Sequence, residues 1–233
     1  MQKPLAKAIL FDMDGTLVNT LEDIRSAMGC ALSLIGFPPP SAETTKRVVG
    51  RGLKNALRGA IQELGVTLDE EEHQRLYNAM MDSYRAHPSD QSTLYAGIHS
   101  LLCKLQADGF ALGILSNKED ELTRRIVSDV LGDFSFVWVQ GLLDSVPRKP
   151  DATAIRQFLI RQGFSADDIV YIGDSEVDWQ TACNVPCSPI LVSWGFRPKE
   201  ELQSLPGSMV VDTVHELEDA IYGIQREGSE KQS

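Results

Sequence analysis

No apolar run in this sequence is long enough to cross a bilayer. The opening residues, Met1-Gln2-Lys3-Pro4-Leu5, lead straight into a short strand-like segment with no secretory apolar region before it, so a cytoplasmic protein without a membrane partner is expected. Cysteine is sparse. Cys30, Cys103, Cys183 and Cys187 are scattered, and the one close pair has no histidine nearby, so the four read as reduced packing thiols and not as a metal or redox site. Of the histidines His73, His87, His99 and His215, none has metal-ligand spacing or lies near a motif. Positive charge is also short. Lys and Arg number 22 against 33 Asp and Glu, and the formal net charge of -11 argues against a general nucleic-acid binder, which needs a basic field along a phosphate backbone. A small anionic substrate held in a local positive pocket remains open. There is no internal repeat and no low-complexity tract.

What is present is the composition of a soluble globular protein, 42% hydrophobic and 24% charged over 233 residues, a length that suits one large fold carrying an insertion. The apolar run 7–11 stops at Asp12, and the pattern recurs. Residues 111–115 end at Ser116-Asn117, residues 136–139 at Gln140-Gly141, and residues 169–172 at Gly173-Asp174. Between them lie helical stripes such as Ile98, Leu101, Leu102 and Leu105, or Ala154, Ile155, Phe158 and Leu159. Alternating strand and helix predicts an α/β protein with a doubly wound, Rossmann-like parallel sheet.

Residues 21–86 break the alternation, with several amphipathic helices in a row and no convincing strand. Leu21, Ile24, Ala27, Met28, Ala31, Leu32 and Ile35 form one stripe, which Phe37-Pro38-Pro39-Pro40-Ser41 ends. The expected organisation is a discontinuous catalytic core, residues 1–19 and 93–226, with a helical cap at 20–92 inserted after the first strand. Its return hinge falls around 87–97, and a polar, disordered tail is expected at 227–233.

In an open parallel sheet, ligands bind beyond the carboxyl ends of the strands near a topological switch point. Asp12, Ser116 and Asp174 all stand at predicted strand ends, so distant parts of the sequence converge on one edge. Asp12-Met13-Asp14-Gly15-Thr16 sets two carboxylates two residues apart on a turn that Gly15 can bend, so that one can attack while the other transfers a proton. A carboxylate attacking a phosphate needs the negative charge offset by a metal. Mg²⁺ suits this, being a hard cation held by carboxylates, a carbonyl and retained waters, and Asp174 is the third contributor. Lys149 could supply a fixed positive charge. Ser116 and Asn117, read as the start of a helix, offer a hydroxyl and free backbone N–H groups to a phosphate oxygen. Individually these residues have plainer readings: Asp12 and Asp14 as turn and helix caps, Ser116-Asn117 as an N-cap, Lys149 as a solvated lysine. The set, not any member, carries the chemistry.

Asp12-Met13-Asp14-Gly15-Thr16-Leu17-Val18, Ser116-Asn117-Lys118, Lys149-Pro150 and Gly173-Asp174-Ser175-Glu176-Val177-Asp178 resemble, in order, the four motifs of haloacid dehalogenase-like hydrolases. The early helical cap is similar to the first cap type of that superfamily. Gly50-Arg51-Gly52-Leu53-Lys54 and Val192-Ser193-Trp194-Gly195-Phe196 are similar to segments of phosphoglycolate phosphatases. The resemblance implies that Asp12 is a nucleophile forming an aspartyl-phosphate and that Asp14 is the acid for the departing alcohol and later the base for water. It also implies that the Asp12 side chain, the Asp14 carbonyl and the Asp174 side chain hold Mg²⁺, that Ser116 and Asn117 bind the phosphoryl group, and that Lys149 orients Asp12. Asp178 would act behind these groups, and Arg51 is a candidate substrate contact from the cap.

Asn19 and Ala152 depart from the family pattern, where an acid and a second proline are usual; neither position makes or breaks bonds. The implied activity is hydrolysis of a small phosphorylated metabolite by a monomer or homodimer. A sugar-phosphate mutase of the same superfamily and a non-catalytic ligand sensor on the same fold are the alternatives. The presence of Asp14 speaks against the dehalogenase and phosphonate-hydrolase branches.

Overall fold

The computed structural model describes residues 7–230. The first strand, β1 (Ala8–Phe11), sets the layering, because successive side chains of a strand face opposite ways. Ile9 and Phe11 enter one apolar layer, while Ala8 and Leu10 enter the other. After β1 come a two-residue strand β2 (Val18–Asn19) and the helices α1 (Leu21–Ser33), α2 (Ala42–Val48), α3 (Leu53–Glu63) and α4 (Glu70–Ala86). A second two-residue strand, β3 (Thr93–Leu94), brings the chain back. β3 pairs antiparallel with β2, Val18 opposite Leu94, so the outgoing and returning chain segments are tied side by side.

The remainder alternates: α5 (Ile98–Ala107), β4 (Ala111–Glu119), α6 (Asp120–Val130), β5 (Trp138–Leu142), α7 (Thr153–Gln162), β6 (Ile169–Gly173), α8 (Glu176–Cys183), β7 (Ser188–Val192), α9 (Lys199–Gln203), β8 (Met209–Val211) and α10 (Val214–Glu230). Six strands form one parallel sheet in the order β5-β4-β1-β6-β7-β8. The chain moves outward from β1 through β4 to β5, then crosses to β6 on the other side of β1. This reversal flanks β1 with β4 and β6 and puts a crevice at their carboxyl ends. Helices cover both faces. Ile98, Leu101, Leu102, Leu105, Leu122, Ile126, Leu217 and Ile221 pack on one, and Ala154, Ile155, Phe158 and Ala182 on the other. The fold is therefore the α/β, doubly wound parallel sheet expected from the alternation, with a run of four helices inserted between its first two sheet strands.

The inserted helices start where local chemistry dictates. Ser41 accepts the Thr44 N–H at the start of α2, and Asp69 with Glu72 forms a reciprocal capping box for α4. The stripe Leu21, Ile24, Ala27, Met28, Ala31 and Leu32 of α1 is buried, and α1 packs along α4. Asp23, also buried, accepts the Gln91 N–H and the Ser92 hydroxyl, which pins the returning segment to the first helix.

Three expectations are corrected. β4 runs on to Glu119 and α6 begins at Asp120, so Ser116 and Asn117 stand on the distal part of a strand whose pairing is irregular between Leu115 and Glu119, and not at a helix start. β5 begins two residues later than the apolar run suggests, at Trp138, and extends through Gln140-Gly141. The backbone of α10 is helical to Glu230, beyond where the tail was expected to begin at 227. Residues 231–233 of that tail lie outside the described residues. No helix among the described residues is long and apolar enough to cross a membrane.

Candidate active site

Asp12 is the first residue past β1, and its N–H donates to the Ile172 carbonyl (2.8 Å), so the strand pairing itself sets where the side chain emerges. The next turn is tight. Gly15 has φ of +85°, a conformation unfavourable to residues with a side chain, and its N–H donates to the Val18 carbonyl. Two residues after Asp12 the Asp14 side chain turns aside. Its Oδ1 accepts from Thr20 Oγ1 (2.5 Å) and from Lys118 Nζ (2.6 Å).

Lys149 is buried at the end of the β5–α7 connection, 2.8 Å from Asp12 Oδ1 and 2.8 Å from Asp178 Oδ1. Burial alone would favour its neutral form, but Asp12, Asp178 and Tyr171 outweigh this and raise its pKa well above the usual lysine value. It is thus a fixed cation. Asn117 holds its backbone: Asn117 Oδ1 accepts the Lys149 N–H (2.8 Å) and Nδ2 donates to the Lys149 carbonyl (3.1 Å). The same amide donates to the Gly50 carbonyl of the inserted helical unit (3.0 Å). The Asn117 side chain is therefore committed to backbone groups, and only its main chain is left for a phosphate. Ser116 differs. Its Oγ accepts the Lys118 N–H (3.1 Å), and its hydroxyl proton is free to donate.

Asp174 follows β6, and its Oδ2 accepts the Phe196 N–H (2.6 Å). The backbone approaches it closely. A Cβ on Gly195 would lie 2.3 Å from Asp174 Cβ, and one on Gly15 would lie 2.4 Å from its Oδ2. Asp178 sits behind, accepting from Ser175 Oγ (2.6 Å), Tyr171 Oη (3.3 Å) and the Asp174 N–H (3.3 Å) as well as from Lys149.

Among the described residues, Asp12, Asp174 and Asp178 form the one group of potential metal-ligating side chains, with ligand atoms within 4.8 Å of one another. Three buried carboxylates face one ammonium, which leaves a local excess of two negative charges. Burial pushes the Asp12 carboxyl up to about 7, Lys149 opposing and Asp178 and Asp14 reinforcing the rise. Burial, then Asp178 and Asp12, also raise Asp174 well above the ordinary carboxylate range. A divalent cation fits this set, because it would supply positive charge that one ammonium cannot give to three buried carboxylates.

Asp12, Asp14, Ser116, Asn117, Lys149 and Asp174 line one cavity, roofed by Val49, Gly50, Gly52 and Leu53. Arg51 is placed elsewhere. Its side chain is 65% exposed, pairs with Glu176 and lines a larger outer groove. Two other cations line the cavity in its stead. The Ser116-Asn117-Lys118 motif gives Lys118 no role of its own, yet its side chain is buried against Asp14. Arg197, two residues beyond Gly195, lay in no motif. Its guanidinium donates to the Lys46 and Val49 carbonyls (2.7 Å each) and pairs with Glu176 (2.9 Å).

Residues 9–192 match the family model described as haloacid dehalogenase-like hydrolase. The chain is 30% identical over 203 residues to a phosphoglycolate phosphatase of Caulobacter vibrioides, covering 87% of this chain and 85% of the relative. It is 29% identical over 216 residues to one of Chromobacterium violaceum, covering 91% and 95%. It also superposes on the crystal structure of a candidate phosphoglycolate phosphatase from Lactobacillus delbrueckii subsp. bulgaricus with a TM-score of 0.87 at 30% identity, over 94% of this chain and 99% of that one.

Proposed function

The chain belongs to the haloacid dehalogenase-like hydrolase family, with phosphoglycolate phosphatases among its relatives, and from that membership we propose that it is a Mg²⁺-dependent phosphatase of a small organic phosphate monoester, phosphoglycolate foremost. The observation that carries the reading is the confluence of Asp12, Asp14, Ser116 and Lys149 on a single cavity beside Asp174.

Asp12 attacks phosphorus as the bond from phosphorus to the leaving oxygen breaks, and the proton on Asp14 passes to that oxygen. The product of this half-reaction is an aspartyl-phosphate on Asp12 and a free alcohol. Asp14, now ionised, takes a proton from a water whose oxygen attacks phosphorus. The bond to Asp12 then breaks, inorganic phosphate forms, and Asp14 is protonated again for the next cycle. Lys149 holds Asp12 and offsets charge on the transferring group, the Ser116 hydroxyl donates to a phosphoryl oxygen, and Asn117 keeps Lys149 in place. Asp12, Asp174 and the Asp14 carbonyl would hold Mg²⁺, which would neutralise the phosphate and the carboxylates as they meet.

The test compares hydrolysis of p-nitrophenyl phosphate with and without Mg²⁺ for the parent and for Asp12→Asn, followed by a panel including phosphoglycolate, sugar phosphates, nucleotides and pyrophosphate. Magnesium-dependent activity that Asp12→Asn abolishes is expected. Equal activity in the two proteins, or indifference to magnesium, would refute the mechanism.

A further inference from the structure

The four residues Ser116, Asn117, Lys118 and Glu119 at the end of β4 lead from the site to the inserted helical unit. Asn117 reaches Gly50, Lys118 reaches Tyr84, and Glu119 accepts from Tyr77 (3.0 Å) and Arg85 (2.9 Å), so three consecutive side chains touch the inserted helical unit. Lys118 is the one that also touches a reacting group. Its side chain is 1% exposed, so its charge needs a partner, and that partner is Asp14 Oδ1 at 2.6 Å. Behind it stands Tyr84, wholly buried near the end of α4. Its Oη accepts from Lys118 Nζ at 2.5 Å, and its ring centroid lies 4.8 Å from the same ammonium.

Thr20, the residue before α1, donates to the same Asp14 oxygen. Two donors converging on Oδ1 fix the plane of the carboxyl and leave Oδ2 as the oxygen for the transferred proton. One donor comes from the entry to the helical unit, and the other is backed by that unit's last helix.

We propose that Lys118 is a positioning residue for Asp14, held by Tyr84, so that Asp14 is aligned for proton transfer only while α4 is seated against the end of β4. The inference rests on the acid and base roles given to Asp14 above. An ammonium already engaged by Asp14 and Tyr84 is not a free anchor for a substrate anion, which separates this role from substrate binding.

The experiment uses the Mg²⁺-loaded enzyme and follows phosphoglycolate turnover together with the pre-steady-state release of p-nitrophenolate, a leaving group that departs without a proton. Lys118→Met should lower kcat on phosphoglycolate by about 10- to 100-fold with KM within about threefold, the cost of a misplaced proton donor. The p-nitrophenolate burst should keep its rate within about threefold, because only the later hydrolysis step then needs Asp14. Lys118→Arg should recover part of the loss, and Tyr84→Phe should show the same pattern, weakened to about 3- to 10-fold. If Lys118→Met does not fold, Tyr84→Phe carries the test alone. A raised KM with unchanged kcat, or a burst that falls together with turnover, would overturn the proposal. Asp14→Asn with parent activity would instead remove the reading on which it rests. Loss in Asp14→Asn with parent kinetics in Lys118→Met and Tyr84→Phe would sink this inference alone.

Discussion

Lys149 Nζ stands 2.8 Å from an oxygen of Asp178, the same distance that separates it from Asp12. Asp178 is fully buried and is itself held by Ser175, Tyr171 and the Asp174 N–H. The ammonium is therefore held by a second carboxylate besides Asp12, and Asp178 on α8 helps determine where the positive charge of the site is delivered.

Asp178→Asn keeps the shape of that support and removes its charge. The lysine would be held by Asp12 alone and drawn toward it, at the expense of the phosphoryl group. A fall in kcat of about 10- to 100-fold is expected, with KM changing less, as for other groups that orient a reactive residue from behind. Parent kinetics in Asp178→Asn would show that Asp12 suffices to place Lys149.

The buried carboxylates make stability depend on pH and on the cation. Asp12 is raised from 3.8 to about 7, so between those values the folded protein keeps a proton that the unfolded chain has released. Folding stability must then fall as pH rises through that window, and Asp174, raised by burial and then by Asp178 and Asp12, adds to the loss. Asp168, held down to about 2 in part by Lys7 and Ser165, acts in the opposite sense only at lower pH. A metal held by these carboxylates would bind their ionised forms, so its stabilisation would grow as protons leave. Thermal melts of the metal-free protein should show Tm falling between about pH 5 and about pH 8, with saturating Mg²⁺ raising Tm more at the higher pH. Asp174→Asn should remove most of that difference, and an equal Mg²⁺ effect at both pH values would contradict the assignment.

The sheet and the strand ends at Asp12 and Asp174 were legible because short apolar runs stopping at polar residues are what buried parallel strands look like in sequence. The sequence reads Ser116 and Asn117 as following the strand and starting a helix, whereas they continue the strand, since polar residues that carry a strand on toward a site cannot be told from an N-cap by type alone. The commitment of Asn117 to the Lys149 backbone was invisible for a different reason: it joins residues 32 apart across a loop. Arg51 and Arg197 show the same limit. Both are arginines near glycines, and only the packing of α2 against the β7–α9 loop turns one out to solvent and the other into the cavity roof.

Gly195 is required by space and not by backbone conformation. A methyl group there would meet Asp174 Cβ and Oδ2 at 2.3 Å, far inside van der Waals contact. Gly195→Ala should displace Asp174 and the neighbouring Phe196 N–H together, and so weaken the cation site before it touches Asp12 or Lys149. The expected result is a rise of about tenfold or more in the Mg²⁺ concentration for half-maximal activity, with activity partly restored at high Mg²⁺. An unchanged magnesium dependence would mean that the loop relaxes around the methyl group.

Arg197 bonds the inserted helices to the core at a helix end. Its two terminal nitrogens meet the Lys46 and Val49 carbonyls at the C-terminus of α2, where a cation is favoured by unpaired carbonyls and the helix dipole, and Glu176 of α8 holds its Nε. Val49 roofs the cavity, so loosening this clasp opens the site from above. Arg197→Met keeps much of the side-chain bulk and removes every donor. Hydrogen bonds to a charged group are worth about 1.5–3 kcal/mol each, so amide exchange across α2 and α3 should quicken by about tenfold or more. Exchange in β1, β4 and β6 should stay at the parent rate, because the sheet does not depend on this contact. KM should rise, since binding then includes the work of seating the helices, while chemistry in the closed state is spared. Unaltered exchange in α2 and α3 would show that the Asn117 bond to Gly50 and the Glu119 bonds to Tyr77 and Arg85 hold the unit closed without Arg197.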